Sequence, residues 1–209
     1  MLRNNLFLYT HTSLYEFRQS LVEMHIMFAG TTNLVAKEPP NLNPTKMVGL
    51  ISDTHVPKKV YSLPPKVLEV FKDMSVNFII HAGDLVELAV VDELETLAPV
   101  LAVHGNMDGI DIVGALPRLN TLKVFDWKIG VMHDPDIAFG LTKMRELVKE
   151  HGFDVFVYGH THVADIKWEG KTLYINPGSA TVPASPLGKT SVGVLKITRA
   201  AIEPEIIEI

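Results

Sequence analysis

The sequence predicts an α/β domain in which two β-sheets pack face to face with helices outside them. Through residues 47–105, apolar segments of strand length alternate with helix-like segments, which is typical of right-handed crossovers and a parallel sheet. The pattern then changes, and residues 121–133 and 163–177 each resemble two strands joined by a short turn. Two further strand-like segments follow at 190–197 and 201–209. A parallel half followed by a mostly antiparallel half indicates two packed sheets.

The elements of the parallel half follow one another in a regular order. Each strand is short and apolar, and each helix-like segment has about ten residues or more. The first helix opens on Pro64 and Pro65, which the first turn of a helix accepts. The predicted order is strand 47–52, helix 64–74, strand 76–81, helix 86–98 and strand 99–105.

In the second half, a helix-like segment at 141–152 precedes the apolar run 153–157. A continuous apolar run of this kind is typical of a strand buried on both faces. It is followed by Gly159 and by two titratable rings, His160 and His162. One such pair alone would indicate hydrogen-bonded loop residues, so a functional interpretation requires partners elsewhere in the chain.

The composition excludes several classes of protein. The chain has 209 residues and a net charge of −5, without the basic surface of a nucleic-acid binder. It has no cysteine, so a bound metal must be held by nitrogen and oxygen ligands. No apolar stretch approaches the roughly 20 residues of a membrane span, and residues 21–30 are too interrupted for a signal peptide. We therefore expect a cytoplasmic protein with no specific nucleic-acid partner and no membrane partner.

Residues 1–46 do not share this alternation and predict an N-terminal helical arm with a linker, before a domain of residues 47–209. Ser13 and Glu16 fit a capping box. The helix could bury its apolar stripe on its own domain or on a second copy of the chain, which would give a homo-oligomer. A third alternative is that the biological chain begins at Met47 and the arm is incidental. The stripe and its glycine stop are Leu14, Phe17, Leu21, Met24, Phe28 and Gly30.

Polar side chains follow five of the predicted strands, at the point where each strand ends. Ligands of open α/β sheets bind beyond the carboxyl ends of the strands, so we expect these side chains to lie close together. Each motif alone would indicate a capped turn, and their co-occurrence indicates a site. Glycines before three of these motifs let the backbone turn sharply. The set is Asp53 and His55 in "SDTH", Asp84 in "HAGD", Asn106 and Asp108 in "GNMD", His133 in "VMHD", and His160 and His162 in "GHTH".

The chemistry of this set predicts metal binding. Carboxylate, amide oxygen and imidazole suit borderline divalent metals such as manganese, iron, nickel or zinc. Without Asp108 the set still offers seven ligands, too many for one ion, and a shared carboxylate can bridge two. We therefore expect two divalent ions, with manganese preferred and iron, nickel, zinc or magnesium as alternatives.

The same series of motifs resembles the calcineurin-like metallophosphoesterases. "DTH", "GD", "GNMD", a later histidine and "GHTH" carry the resemblance over about residues 47–198. "YINPGSAT" at 174–181 resembles more narrowly their small phosphodiesterase branch, which includes the retromer scaffold subunit. The resemblance implies a four-layer αββα sandwich of two mixed sheets flanked by helices. It also implies a tight supporting turn at residues 176–179.

The resemblance further implies two ligand sets that share one carboxylate. Asp84 would bridge the two ions, and a hydroxide between them would attack phosphorus directly, without a covalent enzyme intermediate. The expected catalytic residues are Asp84, Asn106 and His133. The first ion would be held by Asp53, His55, His162 and Asp84, and the second by Asp84, Asn106, His133 and His160.

Two positions depart from the family pattern. Met107 stands where many relatives have a histidine that protonates the leaving group, and a thioether donates no proton. Asp134 stands where relatives usually have glycine; a surface turn is the favoured interpretation, and a proton donor the alternative. We expect His81 and His104 to support the site or the core, with substrate contact as an alternative for His104. Lys58 is expected in a solvated loop, or else beside a substrate phosphate.

These observations predict a dinuclear metal-dependent phosphodiesterase that acts on a small phosphate ester. The missing proton donor favours diesters with acidic leaving groups. Two alternatives remain open: a phosphomonoesterase, and a catalytically weak metal-binding scaffold for protein–protein interaction. The presence of all seven ligand types favours catalysis, because a scaffold does not need them.

Overall fold

The computed structural model of the protein describes residues 44–134 and 142–209, within which the chain forms ten strands and four helices. None of the helices in these ranges has the length and apolar character that a membrane crossing requires. The predicted arm helix lies outside the described residues, so the arm and its homo-oligomer stay predictions. The elements are β1 (Lys46–Ile51), α1 (Pro65–Asp73), β2 (Phe78–His81), α2 (Ala89–Glu95), β3 (Val100–Ala102), α3 (Ile110–Ala115), β4 (Leu119–Val124), β5 (Trp127–Met132), α4 (Thr142–His151), β6 (Val155–Val157), β7 (Asp165–Glu169), β8 (Thr172–Asn176), β9 (Ser191–Ile197) and β10 (Ile202–Glu208).

Both sheets have five strands and both are mixed. The first has the order β10–β9–β1–β2–β3, in which β1, β2 and β3 are parallel and β9 is antiparallel to both of its neighbours. The second has the order β4–β5–β6–β8–β7, in which β5, β6 and β8 are parallel and the outer strands are antiparallel. The prediction of a mostly antiparallel second half is confirmed for the pairs β4–β5, β7–β8 and β9–β10, whereas β5, β6 and β8 are parallel to one another. There α4 provides a crossover between β5 and β6, and a crossover returns the chain in the same direction.

Apolar side chains fill three interfaces, which gives the order helix, sheet, sheet, helix. Phe71 of α1 and Leu94 of α2 cover the outer face of the first sheet. Met144 of α4 packs with Phe156 on the outer face of the second. Burial of each such side chain contributes about 1.5–3 kcal/mol to stability. The predicted four-layer αββα sandwich is thus confirmed. The interface between the sheets contains Val48, Leu50, Ile80, Val131, Val157 and Ile175.

Element boundaries differ from the predictions around the loops. Helix α3 was not predicted: it has six residues, and only Ile112 among them is buried, so it has no apolar stripe to recognise. The predicted helix 86–98 and strand 99–105 are shortened to α2 and β3. The residues released at these ends form the loops that carry polar side chains.

The parallel strands end at one edge of the sandwich, and backbone hydrogen bonds join the loops that follow them. The N–H of Asp53, after β1, donates to the carbonyl of Gly83, after β2, at 3.0 Å. The N–H of Gly159, after β6, donates to the carbonyl of His133, after β5, at 3.0 Å. Because these bonds connect different strands, they bring the side chains of separate loops together.

Candidate metal centre

The structure brings all seven sequence-predicted ligands together at this edge. Each of them lies within hydrogen-bond or ion-pair distance of another member. Three of the seven are open to solvent, since Asn106 and His160 are exposed and His162 is partly exposed, and the two carboxylates are buried. The seven are Asp53 and His55 after β1, Asp84 after β2, Asn106 after β3, His133 after β5, and His160 and His162 after β6.

The carboxylate of Asp53 is fully buried and is held through one oxygen only. Its Oδ2 accepts hydrogen bonds from the Ser52 hydroxyl at 2.6 Å and from the His160 N–H at 3.0 Å. Its Oδ1 faces Nε2 of His162 at 3.3 Å and is the one buried side-chain oxygen without a hydrogen-bond partner in the described ranges. Burial of an unpaired carboxylate oxygen is unfavourable, so this atom fits the role of a cation ligand.

Asp84 is held in the same way. Its Oδ1 accepts a hydrogen bond from the Met107 N–H at 2.7 Å. Its Oδ2 lies 3.3 Å from Nε2 of His133 and 3.9 Å from Nε2 of His55. Asp84 therefore lies between histidines of the two predicted ligand sets. This position is compatible with the predicted bridging role, which stays a prediction.

Backbone carbonyls orient two of the histidines. Nδ1 of His133 lies 2.7 Å from the carbonyl of Ala82, and Nδ1 of His162 lies 2.8 Å from the carbonyl of Val182. Donation from Nδ1–H leaves the lone pair of Nε2 directed into the site. Nε2 of His133 accordingly lies 3.0 Å from Oδ1 of Asn106. A carbonyl that fixes the ring through its other nitrogen is typical of metal-binding histidines.

The remaining rings also face their predicted partners. Nε2 of His55 and Nε2 of His162 are 3.2 Å apart. Two nitrogen ligands about 2.1 Å from a tetrahedral ion are about 3.4 Å apart, so this separation suits two ligands of one ion. Nδ1 of His160 lies 2.8 Å from Oδ1 of Asn106, on the side of the second predicted set.

Five of the seven predicted ligands have a left-handed backbone conformation, which the residue pattern did not reveal. Residues other than glycine rarely adopt this conformation, which costs of order 1–2 kcal/mol each and is concentrated at functional sites. Aspartate and histidine adopt it more often than most other residues, but their places in the sequence do not single these positions out. The φ angles are 53° at Asp53, 47° at His55, 57° at Asp84, 70° at His160 and 59° at His162.

Glycines let the backbone approach the carboxylates closely. A Cβ atom on Gly105 would overlap Oδ1 of Asp84, and one on Gly159 would lie 2.8 Å from Oδ2 of Asp53. Gly83 has a φ of +93° and provides the sharp turn that was expected of all three glycines. Gly105 and Gly159 are needed for a different reason: a side chain at either position would collide with a carboxylate.

Asp108 has a role that the sequence analysis did not assign. Its Oδ2 accepts hydrogen bonds from the N–H groups of Gly105 at 2.7 Å and Asp84 at 3.1 Å, and its Oδ1 accepts one from Val86 at 2.6 Å. One carboxylate thus joins the loop after β2 to the loop after β3. It positions Asp84 relative to Asn106 and does not face the other ligands. Its place in "GNMD", two residues after a predicted ligand, was the available signal.

The charges of the site shift the protonation of its histidines. Burial alone would lower the pKa of His133, but its hydrogen bond with Asp84 and the nearby carboxylates raise it above the ordinary value. The negative charge of Asp53, whose Oδ1 lies 3.3 Å from Nε2, raises the pKa of His162. Burial lowers the pKa of His55 in spite of both carboxylates. Burial would raise the pKa of Asp84, but the hydrogen bond and charge of His133 lower it. The site therefore attracts cations, and protons compete for it.

A buried histidine supports the loops from below. His81 is fully buried, and its Nε2 lies 3.1 Å from the Thr54 hydroxyl. Its Nδ1 accepts a hydrogen bond from the Gly83 N–H at 3.2 Å. Burial lowers the pKa of His81 to about 3, so the ring is neutral and acts as a hydrogen-bonding spacer, in agreement with the supporting role expected for it.

The turn at residues 176–179 also supports the centre. The side chain of Asn176 donates a hydrogen bond to the carbonyl of Gly159 at 2.9 Å, and the hydroxyl of Ser179 donates one to the carbonyl of Asp53 at 2.7 Å. The turn therefore holds two ligand loops without facing the site itself.

The donors present fit divalent metal ions. Two groups have ligand atoms within 4.8 Å of one another: Asp53 with His55 and His162, and Asp53 with Asp84 and His133. Carboxylates, an amide oxygen and imidazoles without thiolates suit borderline divalent metals. The unpaired Oδ1 of Asp53, common to both groups, supports the same conclusion.

Other residues singled out in the sequence lie around the centre. The side chain of Met107 is exposed, and the Lys58 ammonium donates a hydrogen bond to its carbonyl at 3.2 Å. Oδ2 of Asp134 lies 4.0 Å from Nε2 of His160. Residues 135–141 lie outside the described ranges, so the turn predicted after Asp134 is not tested.

A cleft of about 240 Å³ opens beside the second predicted ligand set. Two predicted metal ligands border it, so the cleft connects the centre with solvent. The lining residues are His104, Gly105, Asn106, Arg118, Met132, His133 and Asp134.

A two-sheet sandwich that gathers carboxylates and imidazoles at its carboxyl edge has the donor groups of a metal-dependent hydrolase. The chain belongs to the calcineurin-like phosphoesterase superfamily, since residues 47–200 match the domain of that description. This family membership confirms the resemblance seen in the sequence motifs.

Individual relatives support the assignment. A Methanocaldococcus jannaschii protein named "Probable metallophosphoesterase" is 42% identical over 149 residues, which cover 70% of this chain and 74% of that protein. A protein of the same organism named a phosphodiesterase is 35% identical over 142 residues, covering 63% of this chain and 82% of that protein. The structure is also similar to wild-type Vps29 of Entamoeba histolytica complexed with Zn²⁺. That likeness has a TM-score of 0.61 and 26% identity, and covers 78% of this chain and 98% of that one.

Proposed function

We propose that this chain is a dinuclear metal-dependent phosphodiesterase that hydrolyses small phosphate diesters. The observation that carries the proposal is the arrangement of Asp53 and Asp84. Each buried carboxylate is fixed through one oxygen and directs the other toward histidines. The relative named a phosphodiesterase gives independent support.

The chain's own residues divide into two ligand sets in this proposal. Divalent cations, with manganese preferred, would supply positive charge to the phosphoryl oxygens and acidity to a bound water molecule. Asp53, His55 and His162 would hold the first cation, and Asn106, His133 and His160 would hold the second. Asp84 would contribute to both sets.

The cleft offers the substrate an approach to the centre. Asn106 and His133 border the cleft, so the phosphorus of a bound ester lies next to their side of the centre. Asp108 and the backbone N–H of Met107 hold the position of Asp84. Positioning and electrostatics of this kind account for most of the catalysis of phosphoryl transfer.

The lack of a proton donor at position 107 favours diesters with acidic leaving groups. The side chain of Met107 lies at the edge of the centre and has no proton to donate. General acid catalysis typically contributes about 10²–10⁴-fold. An enzyme that lacks it depends on leaving groups that depart as stable anions.

The test is an assay of metal-reconstituted protein against bis(4-nitrophenyl) phosphate and 4-nitrophenyl phosphate. His160→Ala removes one proposed ligand, and His151→Ala, at the end of α4, is the matched control. We expect manganese-dependent cleavage of the diester by the wild type and by His151→Ala, and strong loss in His160→Ala. Equal activity in all three proteins would indicate contamination or the scaffold alternative. Faster cleavage of the monoester would indicate a phosphomonoesterase.

The scaffold alternative rests on the likeness to Vps29 and on the surface beside the centre. Met107, Ile110 and Val113 are exposed apolar residues of α3 and the loop before it. A protein-binding surface could use them whether or not the site is catalytic. The left-handed conformation of five ligands favours the enzyme, because a scaffold gains nothing from that strain.

A further inference from the structure

Arg118 occupies a defined position beside the centre. It precedes β4, whose register with β5 pairs Leu119 with Met132, so Arg118 and His133 follow as the next opposed positions. The N–H of His104 donates a hydrogen bond to the carbonyl of Pro117 at 3.2 Å. This bond fixes the backbone next to Arg118 against the end of β3.

The guanidinium of Arg118 is free to bind a ligand. The residue is exposed and lines the cleft. Across the described ranges it forms neither a hydrogen bond nor an ion pair, whereas Arg145 forms a two-bond ion pair with Glu169. An arginine presents a planar set of donors that matches a carboxylate or phosphate group.

The size of the cleft limits what can enter. Its volume of about 240 Å³ is just below the roughly 300–1,000 Å³ of pockets that enclose a whole small ligand. It therefore suits one substituent of a substrate whose phosphorus lies at the metal centre. Asp134 on the same cleft is half-buried and lies next to His160, which leaves Arg118 as the cationic group available to an anion.

We propose that the cleft binds an anionic group on one ester arm of the diester, with Arg118 as the specificity-determining residue. The substrate class is then a phosphodiester that carries a second oxyanion, a carboxylate or a phosphate, near the scissile phosphorus. This inference rests on the proposed phosphodiesterase function and adds the identity of the arm that the enzyme prefers.

The experiment compares matched 4-nitrophenyl diesters. Their second arm is phenyl, 3-carboxyphenyl or 3-phosphophenyl, so they differ only in the added anion. For the wild type we expect kcat/KM to be about tenfold higher for an anionic arm, chiefly through KM, which is the scale of a charge-assisted hydrogen-bonded pair. The preference should decrease as salt increases, because the arginine is exposed. Comparison of kcat/KM for the two anionic substrates shows whether the cleft prefers a carboxylate or a phosphate.

Arg118→Gln should reduce the ratio of kcat/KM between anionic and phenyl substrates to about one, and Arg118→Lys should restore part of it. Arg199→Gln is the matched control, because Arg199 lies over the ring of Phe125 in another part of the fold. A wild-type ratio near one, or a ratio that Arg118→Gln leaves unchanged, would overturn the inference.

Calorimetry with a non-hydrolysable phosphonate analogue of the 3-carboxyphenyl diester separates this inference from the proposed function. If the analogue binds more tightly to the metal-loaded wild type than to Arg118→Gln, the result supports anion binding in the cleft, even if no diester is cleaved. Absence of cleavage of all three diesters contradicts the phosphodiesterase proposal. If the diesters are cleaved but the analogue binds equally to both proteins, the role of Arg118 is contradicted and the phosphodiesterase proposal stands.

Discussion

Oδ1 of Asp53 and Oδ2 of Asp84 both lie 3.9 Å from Nε2 of His55. The two buried carboxylates thus face one space, although they come from different strands. Like charges at close range repel strongly in a poorly solvated site, and histidines on the same space offset this repulsion. Metal ions would offset it more effectively, because each brings two positive charges.

Asp84→Asn should remove most of the metal affinity. The amide keeps the size of the side chain and can still accept the hydrogen bond from Met107, so the loop is expected to fold. The loss of a shared negative ligand should lower manganese affinity at least about 100-fold, since even indirect support of a ligand is worth 10–100-fold. Calorimetric titration measures this, with the exposed Asp73→Asn as control. Unchanged affinity and stoichiometry would exclude Asp84 as a ligand.

Asp108→Asn should weaken the site without removing a ligand. An amide oxygen cannot accept the three backbone hydrogen bonds that the carboxylate accepts. We expect a decrease of about 1–3 kcal/mol in the free energy of unfolding and a 10–100-fold lower metal affinity. Urea unfolding and metal titration measure the two effects. Asp111→Asn, on the exposed side of α3, is the control, and equal behaviour of both variants would contradict the positioning role.

Gly159→Ala should damage the centre, whereas Gly114→Ala should not. A Cβ on Gly159 would overlap the Ser52 hydroxyl and crowd Oδ2 of Asp53, while a Cβ on Gly114 meets no atom within 4 Å. Alanine in helix α3 should be neutral or stabilising by up to about 1 kcal/mol. Thermal unfolding and metal titration on both variants test the contrast. Similar losses in both would show that crowding at Asp53 is not the cause.

Metal affinity should increase with pH through the raised pKa values of His133 and His162. In the metal-free protein these rings keep their protons above pH 6.5, and a metal ion must displace them. Calorimetry in buffers of different ionisation enthalpy should therefore detect proton release on binding, which declines as pH rises above both pKa values. Binding that is independent of pH from 6 to 9 would contradict the proposed ligands.

Met107→His should raise turnover on diesters with poor leaving groups. The side chain is exposed next to Asp84, so an imidazole has space there, and it can donate a proton that the thioether lacks. The expected gain is up to about 10²-fold on a phenyl ester and little on a 4-nitrophenyl ester. Met107→Gln is the control for polarity. If turnover rises equally on both esters, or on neither, the interpretation that the wild-type protein lacks a general acid at this position is wrong.

Much of the architecture could be predicted because it follows from local periodicity. Apolar runs such as 153–157 mark buried strands, and the polar residues after them mark the ligand edge. Helix α3 was missed because it is short and buries only Ile112. The return of β9 to pair with β1 depends on contacts between residues about 150 positions apart in the sequence, which local patterns do not encode.

The clustering of the candidate site residues could be predicted, but the hydrogen bonds that hold them in place could not. Strand-end positions gave Asp53 and Asp84 together with the histidines. The three hydrogen bonds to Asp108 depend on how two loops meet. The free guanidinium of Arg118 depends on the register of β4 with β5. Both relationships arise from tertiary geometry, and no spacing of residue types in the sequence indicates them.

The left-handed backbone at five ligand positions has a consequence for the history of such proteins. Glycine adopts these angles without steric penalty, so a homologue that does not need these side chains would lose backbone strain by having glycine there. Such a homologue would have glycine in place of the aspartate of "DTH" and the histidines of "GHTH". Its sequence alone would then indicate that it has lost the metal centre.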